Sequence, residues 1–393
     1  MESIIKPSMT LSDIFGPNHL MNPRVSFLHH RWVDPDIDVQ DFKTGAILPI
    51  VGDMPFICHE SVASSSVLSV LQSANLQVAL PLFTYRNKNE YAELLAASLQ
   101  KKRKVVMNFP HLPDELDQEQ YLIKPSLLRF LNNKANLATL VPSRHVPRRF
   151  LLSPADLWDR QKRPLALPFV VKLATDEPTG GGFDIVICKK EADINRTSHL
   201  FEAYPLVVIE DYLPIKFNFC IQFAITATGE IVYLGASEQV IGEHGDYRGN
   251  WIDHHHQPDA AMVEIGKRVA KRAQALGYCG IAGMDIVMTE NEQIFVIDLN
   301  FRLNASTPAL LLQNSIRQAF HTPVLKFGRW KAFKSMQEAA RTIDSACKDK
   351  YLVPISIYHG TEGTPLLLAG IIAGSSREEI AEKERHWEMS GFQ

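Results

Sequence analysis

The sequence predicts an α/β layer at its start and an α+β body after it. Three observations carry this reading. Strand-like and helix-like segments alternate over the first ~120 residues. Short β-type runs dominate from residue 169 onward, and one long amphipathic helix interrupts them. In the first part, Arg24 to Leu28 and Leu76 to Leu82 read as strands. Glu90 to Gln100 reads as a helix with Tyr91, Leu94, Leu95 and Leu99 on one stripe. Val105 to Phe109 reads as a buried strand ended by Pro110. Strand, helix, strand in that order predicts a parallel layer.

Lys124 to Ala138 is helical in pattern, and the cationic stretch VPSRHVPRR after it reads as a solvated connector. Phe169–Leu173 and Phe183–Cys188 read as strands around the loop TDEPTGGG. Leu206–Ile209 and Asn218–Ala227 are further strands. Gly242 to Asp259 reads as a long polar loop. In the helix from Met262 to Leu276, Met262, Ile265, Val269, Ala273 and Leu276 share one face, and Gly277 ends it. The tail shows a helix (Met336 to Cys347), two strand-like runs and a charged helix from Ser376. It fits an appended unit and a completion of the main body equally well.

Composition narrows the function classes. The chain has 393 residues, with 41 basic against 44 acidic side chains and a net charge of −3. Phosphate backbones demand a basic surplus, so nucleic acid is not expected as the main partner. No apolar run reaches the ~18 residues of a membrane helix. The N-terminus lacks the basic stretch and apolar core of a signal peptide. Five scattered cysteines without a C-x-x-C fit reduced thiols, so a cytoplasmic location is expected.

The chemistry concentrates in GIAGMDIVMTENEQIFVIDLNFRLNAST. Ile281–Thr289 and Ile294–Arg302 form a predicted hairpin. In its second strand Phe295, Ile297, Leu299 and Phe301 point to the core, and Asp298, Asn300 and Arg302 point away from it. A two-residue or a four-residue turn gives the same register, and both set Asp285 opposite Asp298. Two facing carboxylates repel unless a cation sits between them. Oxygen ligands from Asp285, Asp298 and Asn300 suit Mg²⁺.

Upstream, Lys172 ends an apolar run, FVVK, and a lysine buried there needs an anionic partner. Gly180, Gly181 and Gly182 follow between two strands. Three glycines let backbone N–H groups close on phosphate oxygens, and a plain flexible turn is the competing reading. The pattern is neither a dinucleotide-binding nor a Walker motif. Elsewhere His254-His255-His256 reads as surface loop, and Cys279 as core filler. Arg248, in the polar loop, and His30, in His29-His30-Arg31 beyond the first strand, are candidates for substrate contact.

Lys172, the glycines, Asp285 and the D-x-N-x-R run in this order resemble the ATP-grasp superfamily of carboxylate–amine ligases, over roughly residues 125–325. The layout with its tail is most similar to pheganomycin-type peptide ligases. The resemblance implies four parts: a Rossmann-like pre-ATP-grasp layer (1–122), the two ATP-grasp subdomains (123–210 and 211–330) and an α+β extension (331–393). It also implies ATP and Mg²⁺ as cofactors, small carboxylate and amine substrates, and a homodimer. By the same resemblance Lys134 and Lys172 are the nucleotide lysines, and Gly180–Gly182 are the phosphate loop. VVIEDYL, with Glu210, Asp211 and Leu213, contacts adenine. Asp285, Asp298 and Asn300 hold metal, and Arg302 joins Lys172 in catalysis. Two departures stand out. The family's usual glutamate is Asp298 here. Its ribose-binding glutamate falls near Phe217, leaving Asn218 or Lys216 as substitutes. The implied activity is ATP-driven amide formation through an acyl phosphate. A non-catalytic nucleotide-binding protein, and acyl transfer to a carrier or metabolite, remain open alternatives.

Overall fold

Four short parallel strands form the first layer: β1 (Leu20–Asn22), β2 (Phe56–His59), β3 (Leu82–Tyr85) and β4 (Val105–Met107). The computed structural model describes residues 4–28, 31–79, 82–99, 103–241, 247–360 and 363–393. The strand order is β3-β2-β1-β4, so connections leave β1 in both directions, the crevice geometry of ligand-binding α/β sheets. Two strand expectations are corrected here. The first strand lies before Arg24, because Pro23 lacks an N–H for a ladder. Arg24 is turned inward instead, its Nε donating to Asp41 Oδ1 at 2.7 Å. Leu76 makes only a single bridge, to Ile5, and the ladder begins at Leu82. The expected helix runs from Lys88 to Leu99, with Tyr91 and Leu95 buried.

A second, antiparallel sheet comprises β5 (Arg149–Leu152), β6 (Phe169–Leu173), β7 (Ile185–Cys188) and β8 (Val207–Asp211), in the order β5-β8-β6-β7. The helix Glu191–Phe201 closes its core. The helix expected over Lys124–Ala138 breaks after Asn132, and Asn133 caps a 3₁₀ turn over Lys134–Asn136.

The third sheet has eight strands, antiparallel throughout. They are β9 (Ile215–Ile225), β10 (Ile231–Ile241), β11 (Tyr247–Asp253), β12 (Gly280–Thr289), β13 (Ile294–Asn300), β14 (Val324–Ala332), β15 (Leu352–Tyr358) and β16 (Leu366–Gly374). Their order is β13-β12-β9-β10-β11-β14-β16-β15. β11 corrects the long-loop expectation, since its seven residues pair with β10 and β14. The tail strands extend this same sheet, and their apolar side chains share one core with the first layer. The helix Ala260–Ala275 buries Met262, Ile265, Val269 and Ala273 against Phe219, Ile221 and Phe223 of β9. Leu276 is not on that face: it caps the helix and is half exposed. Gly277, at φ +92°, then turns the chain.

Candidate active site

β12 and β13 set the two carboxylates opposite each other, as the hairpin register requires: Asp285 pairs with Asp298. The route to that register differs from the simple one. Near the turn Met288 pairs with Ile294, one residue tighter than expected, and a β-bulge at Ile297 restores the offset before Asp298. The bulge also inverts the alternation upstream. Val296, Leu299 and Phe301 are core residues, while Phe295 and Ile297 are not, which corrects the predicted facing of those two. The carbonyl oxygen of the bulged Ile297 accepts a hydrogen bond from Lys172 Nζ at 2.5 Å. The irregularity thus ties the β12–β13 hairpin to the lysine on β6.

Around this point lie four cations and four carboxylates. Lys172 pairs with Glu210 at 2.7 Å, and Arg149 reaches the other Glu210 oxygen at 3.4 Å. Lys134 pairs with Asp184 at 2.9 Å and with Asp298 at 3.4 Å. Arg302 Nη2 donates to Asn300 Oδ1 at 2.5 Å. Burial opposes the charge of Lys134, but Asp184 and Asp298 outweigh it and raise its pKa above the usual lysine range. Burial likewise opposes ionisation of Asp298. Lys134, Lys172 and Arg302 overcome this and hold its carboxyl below the usual range. Asp285 forms no ion pair among the described residues, and Arg302 draws its pKa down less than its surroundings raise it. Burial first, and then the Asp298 charge, push its pKa up to about 6.

Asp285 is where the set is incomplete. Its Oδ1 is buried and accepts no hydrogen bond of ordinary geometry, with Cys220 and Gln239 beside it. The Asn300 amide nitrogen lies 3.4 Å from one oxygen of Asp285 and 3.4 Å from one of Asp298. It brings partial positive charge to the place between two carboxylates. The donor set is all oxygen-bearing, so the residues fit Mg²⁺.

The glycine loop covers this floor. A side chain at Gly180 would meet Arg302 Nη2 at 3.4 Å, and Thr179 O lies 3.5 Å from the same nitrogen. Gly181 and Gly182 adopt φ of +70° and +84°, a conformation that glycine accepts without strain. The loop is fastened to the first layer, because Gly180 N donates to Trp32 O at 2.9 Å. The Trp32 side chain is buried in the core of the second sheet, against Phe201 and Tyr204.

Other expected residues are distributed unevenly. Asn218 Oδ1 is buried without a hydrogen-bond partner, a vacant acceptor suited to a hydroxyl. Asp211 turns outward into a two-pronged pair with Arg148 (3.0–3.3 Å), and Leu213 lies in the turn between β8 and β9. Arg248 is exposed on β11, and no described contact joins it to the carboxylate pair. His30 lies outside the described residues. VPSRHVPRR is not wholly solvated: Arg148 is exposed, but Arg149 is turned in to Glu210. Asp184 and Arg149 were not anticipated. The signal available was an acid two residues after the last glycine and an arginine opening an apolar strand.

Comparison with known proteins adds to this geometry. Residues 147–300 match the model described as L-aspartate–L-methionine ligase, ATP grasp. Residues 10–129 match the model of the L-aspartate–L-methionine ligase N-terminal domain, and together the two span more than two thirds of the chain. Among solved structures, the fold is similar to an ADP complex of N5-carboxyaminoimidazole ribonucleotide synthetase. That match has a TM-score of 0.62 at 13% identity and covers 99% of this chain and 100% of that one. The Staphylococcus aureus N5-carboxyaminoimidazole synthetase gives 0.59 at 13% identity, with 100% of both chains covered. Biotin carboxylase from Campylobacter jejuni, in a β-γ-ATP complex, gives 0.57 at 11%, covering 93% of this chain and 89% of that one. At these identities the likeness is one of fold, and it bears out the expected fold class, an α/β layer joined to an ATP-grasp fold.

Proposed function

The chain belongs to the ATP-grasp carboxylate–amine ligases, which use ATP with Mg²⁺, and we propose that it couples two amino acids, an aspartate-type acid and a methionine-type amine. The observation that carries the site assignment is the Asp285–Asp298 pair with its vacant buried oxygen, lying under a glycine loop beside Arg302. The family description supports the substrate pair.

In this reading Lys134 and Lys172 bind nucleotide phosphates from opposite sides, Glu210 fixes Lys172, and Asn218 accepts from a ribose hydroxyl. Asp285, Asp298 and Asn300 would hold Mg²⁺, which supplies charge neutralisation at the β- and γ-phosphates. The substrate carboxylate oxygen attacks the γ-phosphorus, the bond from γ-phosphorus to the bridging oxygen breaks, and ADP leaves. The amine nitrogen then attacks the acyl carbon, and phosphate leaves as the nitrogen loses its proton. Arg302 neutralises the charge that builds on the transferring group. The glycine loop, held by Trp32, keeps water from the acyl phosphate. The location is taken as cytoplasmic and the assembly as a homodimer. Among the described residues no helix is long and apolar enough to cross a membrane.

The test is ADP release across pairs of amino acids, with mass detection of the dipeptide. Aspartate with methionine is expected to give ADP and one dipeptide in equal amounts. ADP without any condensation product would sink the ligation reading. Light scattering on a sizing column decides the assembly.

A further inference from the structure

Two cations near the site, Lys43 and Arg329, form no ion pair among the described residues. Lys43 ends the helix Ile37–Lys43 of the first layer, whose N-terminus is capped by Asp36. It makes no hydrogen bond or ion pair with any described residue. Burial, then Arg329, pushes its pKa down to about 7, and Arg302 acts in the same direction. Asp34 and Asp36 pull it upward without forming a pair. Arg329 lies on β14, exposed, with its guanidinium 5.2 Å from the ring centre of Tyr247 and no ion pair among the described residues. Tyr247 in turn donates to Asn250, and its ring senses the charge of Asp285.

The sheet explains how these groups come together. Adjacent-strand pairing lines up Asp298, Asp285, Cys220 and Ser237, and Asn250 Nδ2 donates to Ser237 Oγ at 3.0 Å. Asn250 pairs with Phe327, two residues before Arg329 and therefore on the same face. A polar row thus runs from the carboxylate pair to Arg329. Arg329 pairs with Ala369 and Ala369 with Ser356, whose Oγ donates to Phe42 O at 3.0 Å, so the chain at Lys43 lies two strands across from Arg329. The nucleotide end of this row is charge-balanced internally, but this end carries a positive surplus that a bound anion would relieve.

We propose that Lys43 and Arg329 form the subsite for the second, non-reacting carboxylate of a dicarboxylic acid substrate, and so select that acid over its neutral analogues. This rests on the ligase reading above. With the reacting carboxylate beside Arg302, the second carboxylate of a short dicarboxylic amino acid extends toward these two cations.

The test uses the full chain with Mg-ATP and methionine saturating, and compares aspartate with asparagine and alanine as the acid. The wild type is expected to favour aspartate in kcat/KM. Lys43→Met and Arg329→Met are each expected to raise the KM for aspartate roughly 10- to 100-fold, the usual consequence of losing one charged hydrogen bond. The loss is expected only for acids with the second carboxylate, with the KM values for methionine and ATP moving less than about threefold. Arg329→Lys is expected to recover part of the loss. A thermal melt of each variant separates misfolding from lost recognition. Three results would overturn the proposal: unchanged preference for aspartate in both folded variants, a rise confined to the KM for methionine, or a wild type indifferent to the second carboxylate. ADP release with none of the acid–amine pairs would instead bring down the ligase reading beneath it.

Discussion

The two ends of the active-site floor treat positive charge in opposite ways. At the nucleotide end, Lys134, Lys172 and Arg149 are buried and each faces an acid of the protein: Asp184 and Asp298 for Lys134, and Glu210 for the other two. At the far end, Lys43 and Arg329 form no ion pair among the described residues. ATP brings its own counter-charge as Mg²⁺, so its site works from a neutral starting point with cations already oriented. A carboxylate substrate brings no cation, and its site must hold uncompensated positive charge. The difference teaches that the first end is built for alignment and the second for selection.

The largest effect is expected from breaking the reacting centre. Asp298→Ala or Arg302→Met should lower ADP release by at least ~10³-fold, since each removes charge aimed at the transferring phosphoryl group. Turnover within tenfold of wild type would remove these residues from the centre.

Next comes stability at the neutral end. Glu210→Gln leaves Lys172 and Arg149 buried without their acid, and breaking such a pair costs on the order of 3–5 kcal/mol. Urea unfolding without ATP is the measurement. Lys43→Met, at the unpaired end, should instead leave stability equal or higher. If both variants shift equally, the contrast between the two ends is wrong.

Asp285 gives a pH signature. Its folded pKa, about 6, lies above the ordinary value of 3.8, so between those pH values the folded protein holds more protons than the unfolded one. Stability of the nucleotide-free protein therefore falls as pH rises from about 4 to 6. Asp285→Asn should flatten that fall and raise unfolding stability at pH 7 by roughly 1–3 kcal/mol, while abolishing ligation. A less stable Asp285→Asn protein would mean that the carboxylate is satisfied without a metal.

The smallest effect is expected at the loop. Gly181→Ala forces a side chain into φ +70° with the Phe183 ring 3.2 Å away. That strain, about 1 kcal/mol, should weaken ATP binding severalfold with little change in melting temperature. Calorimetric titration with the nucleotide is the check.

Much of the centre was legible in the sequence because it is local. Asp285 and Asp298 are joined by one short hairpin, so strand period and turn length sufficed to set them opposite each other. Lys172 and the glycines were readable for the same reason, as a charge and a flexible run at the edges of apolar strands. The first layer was less legible. Its strands are only three or four residues long, too short for a period to declare itself, and Pro23 moved the first one upstream. The polar stretch around Tyr247 hid a strand, because residues such as Asn250 and Asp253 spend their polarity on Ser237 and Arg377 rather than on solvent.

The sequence by itself determined local placement: which carboxylates face each other, which lysine sits on an apolar strand, where the glycines lie, and the order in which the chain delivers them. Local geometry is sufficient for such choices, since a strand repeats every two residues and a hairpin fixes its own partners. Only the tertiary structure decided the rest. The bulge at Ile297 that meets Lys172, the turn of Arg149 toward Glu210, and the approach of Lys43 to Arg329 join residues far apart in the chain. No periodicity connects positions 43 and 329. They come together because the helix Ile37–Lys43 and the tail strands fold onto one shared apolar core, with Ser356 Oγ donating to Phe42 O.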